Sequence, residues 1–311
     1  MKKNCSVVVP VYNSAKSLPL LVKRLHPALD QIATKYELIL INDCSQDSSW
    51  EVITKLIKEN PWVVGINLRR NYGQHNALLC GIRTAKYDYT ITMDDDLQHP
   101  PEEIHKLLDG LDIGVDVIYG IPNKLPHASW RNFFSKYAKL ILARVIGIAR
   151  VRNISSFRAF HTNLRDSFAN FNSPDVIIDA LLSWGAMRFS TVVVNESPRV
   201  EGKSNYNFFK LIKMGMLILT GFSTAPLRFA SLVGFSFTIL GVIILIYVLI
   251  RYMSEGSIPG FPFLASAVTI FSGTQLFALG IFGEYLGHIF ERSSARPPYI
   301  IDEIKRTKKG K

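Results

Sequence analysis

The chain has 311 residues, which is enough for one sizeable α/β domain and a smaller appendage. Its formal net charge is +11, and basic residues gather on both sides of the long apolar runs near the carboxyl terminus, which favours an anionic membrane over nucleic acid as a partner. The three cysteines, Cys5, Cys44 and Cys80, form no C-x-x-C pair. They therefore indicate neither a disulfide framework nor a zinc site, and they fit a reducing compartment.

The first part of the chain predicts a mainly parallel sheet. Between Ser6 and Ile121, longer amphipathic stretches separate five short β-branched runs, namely SVVVPVY, YELILIND, WVVGINL, DYTITMDDD and VDVIYGI. This alternation is typical of βαβ units. Such sheets bind ligands beyond the carboxyl ends of their strands, so the polar residues directly after each run are the candidates for chemistry. The first apolar run is too short for a signal peptide, and we expect this domain in the cytoplasm.

Two acidic turns follow predicted strands. The segment TITMDDDLQHPP places Asp94 and Asp96 at a strand end, where carboxylate oxygens could bind Mg²⁺ or Mn²⁺ and, through it, a nucleotide diphosphate. The alternative is a solvated turn that caps the next helix. The segment INDCSQDSS places Asp43 where it could accept hydrogen bonds from a base or ribose. Here the alternative is an ordinary helix cap at Asp47 or Ser48.

The middle of the chain gives less specific signals. Trp130 to Ile148 predicts a helix in which aromatic and basic side chains alternate, and it could lie on a membrane surface or pack on the sheet. A strand-like MRFSTVVVN follows. After it we expect a polar loop from Glu196 to Tyr206 and a helix that begins near Asn207.

Two uncharged apolar segments, Phe229 to Ile250 and Pro262 to Gly283, are each about 33 Å long as helices and can span a membrane. A buried soluble helix is the alternative for each. Their outer flanks are basic and the connection from Arg251 to Phe261 is nearly uncharged, which predicts both termini in the cytoplasm. Gly283 and Gly287 predict close helix packing, either between the spans or between protomers of a homo-oligomer. We therefore divide the chain into a soluble domain, a juxtamembrane region, a two-helix membrane region and a basic tail, at residues 1–205, 206–228, 229–287 and 288–311.

The order VVVPVYN, INDCSQD, NLRRNYGQHNA and MDDDLQHPPE resembles the amino-terminal half of glycosyltransferase family 2, whose members are inverting enzymes with a GT-A fold. Later segments, PRVEGKSNY, TAPLRF, GEYLGHIFE and ARPPY, are similar to its polyprenyl-phosphate branch. That branch includes dolichol-phosphate mannose synthases, polyprenyl-phosphate glucosyltransferases and undecaprenyl-phosphate aminoarabinose transferases. The resemblance covers nearly the whole chain, and Asn71 to His75 are most similar to the aminoarabinose transferases. A Gln-x-x-Arg-Trp element of processive synthases is not found, which favours transfer of a single sugar.

The resemblance implies a role for each matching residue. Pro10, Tyr12 and Asp43 would line the nucleobase pocket, Asp94 would hold the ribose and diphosphate side, and Asp96 together with Asp94 would ligate the metal. A loop would close over the diphosphate through Arg199, Lys203 and Tyr206. The chain departs from the family at Ser14, where Glu is usual, and at Asn205, where Lys is usual.

A third departure lies in the segment from Arg152 to Arg158, which resembles the family's acceptor loop but has Ser156 where Asp is common. An acceptor phosphate monoester has a second pKa of roughly 6, so it is largely dianionic at neutral pH and can attack without a general base. Arg158, Arg152, Ser155 and Ser156 could hold it in line. In the alternative interpretation, Arg158 is a structural ion-pair partner.

The sequence thus predicts an α/β GT-A domain followed by two transmembrane helices, with Mg²⁺ or Mn²⁺ as cofactor. The expected donor is a nucleotide sugar, with uridine favoured by analogy, and the expected acceptor is undecaprenyl or dolichyl phosphate. The lipid-linked sugar would serve cell-envelope polysaccharide or lipid decoration. Two alternatives remain: a membrane glycosyltransferase that uses another lipid or glycan acceptor, and a non-catalytic membrane scaffold that retains the fold.

Overall fold

The computed structural model describes residues 2–122, 154–195, 197, 224–255 and 260–307. The chain forms two compact units, one of Met1–Ile212 with Ala295–Lys311 and one of Lys213–Ser294. The predicted helix at Trp130 to Ile148 and the predicted helix near Asn207 lie outside the described residues.

The first unit is built on an eight-stranded sheet in the order β7-β5-β6-β4-β1-β2-β3-β8. Its strands are β1 (Lys3–Val11), β2 (Ala33–Asn42), β3 (Val63–Leu68), β4 (Tyr89–Thr92), β5 (Val117–Pro122), β6 (Arg158–His161), β7 (Phe189–Val194) and β8 (Ile301–Arg306). The central neighbours β4, β1, β2 and β3 run parallel to one another, and so do β5 and β7. Strands β6 and β8 pair antiparallel with their neighbours. The mainly parallel α/β sheet predicted from the sequence is therefore confirmed.

Helices connect the parallel strands, and in the described part they are α1 (Leu18–Ile32), α2 (Ser49–Glu59), α3 (Gln74–Thr84), α4 (Ile104–Leu111) and α5 (Ile178–Gly185). Helix α1 buries one apolar stripe at helical spacing, formed by Leu18, Leu21, Val22, Leu25 and Leu29. Helix α3 lies very close to the sheet, because a Cβ atom at Gly81 would come within 2.3 Å of Val8 and 2.7 Å of Ile41. This close approach packs the second half of α3 against β1 and β2.

Strand β8 lies in the stretch predicted to be a basic tail. It pairs with β3, and the backbone N–H of Arg69 donates to the carbonyl of Ile300 at 3.0 Å. The Lys305 ammonium lies 4.9 Å from the centroid of the Trp50 ring. Asn76 on α3 is buried and donates to the carbonyls of Pro174 at 2.9 Å and Pro298 at 2.6 Å. The end of the chain is thus an integral part of the first unit.

The second unit contains two long helices, α6 (Ala225–Glu255) and α7 (Phe261–Ser293). They contact each other through Phe237 and Phe271, whose ring centroids are 5.8 Å apart. Within the described residues, Pro226–Arg251 is the one helix long and apolar enough to cross a membrane, with a mean hydropathy of 2.7. The second predicted span, Pro262 to Gly283, lies inside α7 and stays a prediction. No described atom lies within 4 Å of a Cβ built on Gly283 or Gly287, so neither glycine serves a contact between the spans in this structure.

Candidate active site

A cavity of about 300 Å³ opens where the carboxyl ends of β1, β2 and β4 meet. Its lining comes from the turns after these strands and from the start of α3, and consists of Pro10, Val11, Tyr12, Asp43, Asn71, Gly73, Gln74, Asp94, Asp95 and Asp96. The structure therefore brings together the predicted residues Pro10, Tyr12, Asp43, Asp94 and Asp96. Since parallel strands present their carboxyl ends at one edge, this is the place where such a sheet binds ligands.

The turn after β1 is held against the turn after β2 by backbone contacts. The N–H of Asn13, a residue with a φ of 55°, donates to the Ser45 hydroxyl at 3.0 Å. The N–H of Ser14 donates to the Ser49 hydroxyl at 2.9 Å. Because the backbone is fixed in this way, Tyr12 projects a side chain that is 46% exposed and can offer its ring to a ligand.

Asp43 is buried at the end of β2, and its two carboxylate oxygens accept the N–H groups of Tyr72 at 2.7 Å and Gly73 at 2.8 Å. Burial raises the pKa of Asp43, and the two backbone hydrogen bonds act in the opposite direction. Gly73 has a φ of 94°, a conformation that other residues rarely adopt, so this loop depends on glycine here. Asp43 thus fixes the loop before α3, and its predicted contact with a nucleobase stays a prediction.

Three consecutive carboxylates, Asp94, Asp95 and Asp96, form an acidic wall of the cavity. Asp94 accepts a hydrogen bond from the Gln74 amide at 2.7 Å and another from the Ser156 hydroxyl at 2.6 Å. Burial raises the pKa of Asp94, and the Ser156 hydroxyl lowers it while the charge of Asp96 raises it. The Asp96 carboxylate accepts the backbone N–H of Gln98 at 3.1 Å.

Asp95 also belongs to this wall, although the sequence analysis gave it no role. Burial and, to a smaller extent, the charges of Asp94 and Asp96 raise the pKa of Asp95 to about 6, while hydrogen bonds from the Ser14 hydroxyl and the Tyr12 backbone act in the opposite direction. Ser14, one of the three departures from the family, therefore contacts the acidic turn. A glutamate at position 14 would instead place another carboxylate beside Asp95.

The acidic wall fits a hard divalent cation. Three adjacent carboxylates offer only oxygen atoms, which are the ligands that Mg²⁺ and Mn²⁺ take. Burial is the main cause of the raised pKa values of Asp94 and Asp95, and the neighbouring carboxylate charges add to it. A bound cation would offset both effects. The residues present therefore suit the metal that the sequence predicts.

The structure corrects the expected role of Arg158. Its side chain is only 2% exposed, and its guanidinium forms a buried ion pair with Asp179 and donates to the Thr92 hydroxyl at 3.1 Å. Tyr119 also donates to Asp179, at 2.9 Å. The guanidinium is thus held by buried partners inside the fold, and the alternative of a structural ion pair describes it. Sequence reasoning missed Asp179 because nothing in the pattern links it to a residue 21 positions earlier.

Gln74 is another lining residue to which the sequence motifs give no role, although it lies in the NYGQH segment. Its place directly after Gly73, between a predicted strand and the following amphipathic stretch, is the sequence signal that could have identified it. The predicted residues Arg152, Arg199, Lys203 and Tyr206 lie outside the described residues.

Comparison with known proteins agrees with this geometry. Residues 6–168 match the family described as "Glycosyl transferase family 2". Proteins named undecaprenyl-phosphate 4-deoxy-4-formamido-L-arabinose transferase are similar over nearly the full length. The one from Pseudomonas fluorescens is 33% identical over 305 residues, which cover 97% of this chain and 89% of the relative. The one from Shewanella sediminis is 36% identical over 303 residues, which cover 96% and 92%.

Among solved structures, glucosyl-3-phosphoglycerate synthase from Mycobacterium tuberculosis, in complex with Mn²⁺, uridine-diphosphate-glucose and phosphoglyceric acid, shares the fold. It gives a TM-score of 0.50 at 19% identity, covering 70% of this chain and 78% of that chain. The fold, the carboxylate-lined cavity and the family match agree. The chain belongs to glycosyltransferase family 2 and is a glycosyltransferase with a GT-A-like domain.

Proposed function

We propose that the enzyme transfers a single sugar, with inversion, from a nucleoside diphosphate sugar to a polyprenyl phosphate at the cytoplasmic face of a membrane. The observation that carries this proposal is the similarity, at 33% and 36% identity, to proteins named for transfer to undecaprenyl phosphate. Because the similarity covers nearly the whole chain, it includes both the cavity and the apolar helices. The competing acceptors are another lipid and a glycan.

The described cavity suits the donor. Tyr12 offers an exposed aromatic ring, and Pro10 and Asp43 form a wall beside it that could enclose a flat base. By analogy with the family, the base is uracil. Asp94 lines the same cavity, where it could hold the ribose and diphosphate side. These placements support the predicted roles of all four residues.

Asp96, with Asp94, would hold the divalent cation. When bound, the cation neutralises the charge that develops on the leaving diphosphate. The protein's part is to keep the carboxylates ionised and correctly directed. The backbone N–H of Gln98 contributes to this by donating to Asp96.

The acceptor needs positive charge rather than a base, since its phosphate is already largely dianionic at neutral pH by analogy with other phosphate monoesters. In the described part of the chain, the residues that line the cavity include no lysine or arginine. We assign the binding of the phosphates to residues outside the described part, namely Arg152 for the acceptor phosphate, and Arg199 and Lys203 with Tyr206 for the donor diphosphate. The hydroxyl of Ser155, three residues after Arg152, is near enough in sequence to assist.

The membrane placement is part of the same proposal. We infer that α6 and the apolar part of α7 both cross the membrane, which leaves the sheet unit and both chain termini in the cytoplasm. The apolar character of Pro226–Arg251 supports the first span. The exposed apolar side chains along α7, such as Leu276, Phe277 and Leu279, support the second.

The experiment that tests this function measures release of nucleoside diphosphate by the purified full-length enzyme with Mg²⁺ or Mn²⁺ and a panel of nucleotide sugars. The panel should include the UDP-linked form of 4-deoxy-4-formamido-L-arabinose. Each donor is tested with undecaprenyl phosphate, with the matched alcohol undecaprenol, and without acceptor. Release that depends on the phosphorylated lipid supports the proposal. Equal release with undecaprenol, or release that responds only to a glycan, would refute it.

A further inference from the structure

The carboxylate of Asp94 receives one hydrogen-bond donor on each oxygen. The Gln74 amide nitrogen lies 2.7 Å from Oδ1, and the Ser156 hydroxyl lies 2.6 Å from Oδ2. The three residues come from different parts of the fold, because Gln74 begins α3, Ser156 precedes β6 and Asp94 follows β4. Two donors from opposite sides leave the carboxylate little freedom to rotate.

Both donors stand on backbone that is itself fixed. The carbonyl of Ser156 accepts the Thr92 hydroxyl at 2.7 Å, and the next residue, Phe157, is fully buried. On the other side, the N–H of Gly73, directly before Gln74, donates to Asp43 at 2.8 Å. The two donors are therefore attached to the ends of β4 and β2, the same strand ends that form the cavity.

An ionised carboxylate has about four lone-pair sites. Gln74 and Ser156 occupy one on each oxygen of Asp94, which leaves one on each oxygen to face the cavity. A ligand that binds there meets a carboxylate whose direction is already set. Such pre-orientation reduces the conformational entropy that a freely rotating side chain would lose when the ligand binds.

We propose that Gln74 and Ser156 are positioning residues that together hold Asp94 in the orientation in which it binds the cation-bound diphosphate of the donor. This inference rests on the proposed function for the identity of the donor. It gives Ser156 a role on the donor side, in place of the acceptor-side role that the sequence suggested. The positioning role also explains why a hydroxyl is favourable at position 156. A carboxylate there would lie within hydrogen-bonding distance of Asp94, and the two negative charges would repel each other.

The test uses three variants of the full-length enzyme: Gln74→Met, Ser156→Ala and the double variant. Gln74→Met keeps the length of the side chain but removes its hydrogen-bond donor. Ser156→Thr retains a hydroxyl and serves as the rescue. Gln31→Met and Ser167→Ala are the matched controls, since both residues lie away from the cavity and Gln31 is exposed. Circular dichroism and thermal unfolding identify any variant that is not folded.

The first readout is the Kd of UDP in the presence of Mn²⁺, measured without acceptor. Loss of one hydrogen bond to a charged group should raise this Kd about tenfold in each single variant, and further in the double variant. The controls should match the wild type, and Ser156→Thr should recover most of the affinity. Unchanged Kd values in folded Gln74→Met and Ser156→Ala would overturn the inference.

The second readout is steady-state transfer. We expect a lower kcat, or a higher KM for the nucleotide sugar, with the KM for the polyprenyl phosphate within about twofold of the wild type. If Ser156→Ala changed only the KM for the lipid phosphate, the acceptor-side role would be correct and this inference wrong. If wild-type enzyme used no polyprenyl phosphate while the variants still weakened binding of UDP with Mn²⁺, the proposed function would fail and the positioning role would stand.

Discussion

At the scale of single residues, Asp96 is the direct test of the metal site. It lines the cavity, and one of its oxygens accepts the N–H of Gln98. Asp96→Asn keeps the size of the side chain but removes its charge, so we expect a loss of turnover of at least about a hundredfold with normal folding. Steady-state rates across a Mn²⁺ titration measure this effect. Full activity of Asp96→Asn in excess chelator would contradict the assignment.

We predict that the buried ion pair of Arg158 contributes to the free energy of unfolding. Arg158→Ala leaves Asp179 charged and buried without its partner, which costs about 3–5 kcal/mol of unfolding free energy. Combining Arg158→Met with Asp179→Leu removes both charges and should recover part of that loss. Denaturant unfolding in detergent measures both values. A folded Arg158→Ala enzyme of wild-type stability that fails only in binding the lipid phosphate would instead restore the acceptor role.

Because of His75, we expect the free energy of unfolding to depend on pH in the acid range. The N–H of Ile178 points at its Nδ1 at 3.4 Å, and burial, with the charge of Arg158, lowers its pKa from 6.5 to about 4, while Asp179 acts in the opposite direction. Between these two values the unfolded chain binds a proton and the folded chain does not, so stability falls as pH falls from about 6.5 towards 4. His75→Gln should flatten this part of the unfolding profile. An equally steep profile in the variant would refute the interpretation.

Residues in short polar motifs were predictable from the sequence, and their partners were not. Asp43, Asp94 and Asp96 follow β-branched runs, so their place at one sheet edge follows from the topology of a parallel sheet. The contacts of Arg158 and Gln74 join residues 21 and 20 positions apart, across separate elements. No periodicity in the sequence encodes such pairings, because each depends on how a helix packs beside the end of a strand.

At the scale of elements, the position of β8 makes the carboxyl-terminal strand part of the catalytic unit. Asn76 ties Pro298, just before this strand, to the helix that begins at Gln74. Asn76→Ala leaves the buried carbonyl of Pro298 and the part-buried carbonyl of Pro174 without this donor, so we expect a loss of about 1–3 kcal/mol in stability. Backbone hydrogen exchange in Ile301–Arg306, read by mass spectrometry, should become faster. Asn163→Ala, at an exposed amide, is the control, and equal exchange in both variants would contradict the prediction.

The sequence predicted the strands whose residues are apolar on both faces. Runs such as SVVVPVY and YELILIND are mostly buried in a parallel sheet, where near-continuous apolar runs rich in Val, Ile and Leu are typical. It missed β6, which has only four residues, and β8, whose sequence IDEIKR is charged. An edge strand keeps one side open to water and tolerates such charges, so its composition resembles that of a tail.

At the scale of the whole molecule, the basic flanks of the two long helices predict the orientation in the membrane. In a background without the exposed Cys44, a cysteine placed between Ser254 and Gly260 should react with an impermeant maleimide in intact cells. A cysteine beside Lys308 should react only after permeabilisation, and it controls for cell integrity. The reverse labelling pattern would place the catalytic unit on the other side of the membrane.

The central claim is transfer of one sugar to a polyprenyl phosphate, and the mass of the lipid product tests it most directly. Purified enzyme is incubated with undecaprenyl phosphate, Mn²⁺ and the donor panel, and the extracted lipid is analysed by mass spectrometry with fragmentation. The account predicts one new species, heavier than the acceptor by a single sugar residue attached through its phosphate, and absent with Asp96→Asn. A product that carries several sugars, or a sugar found on another acceptor while undecaprenyl phosphate stays unmodified, would contradict it.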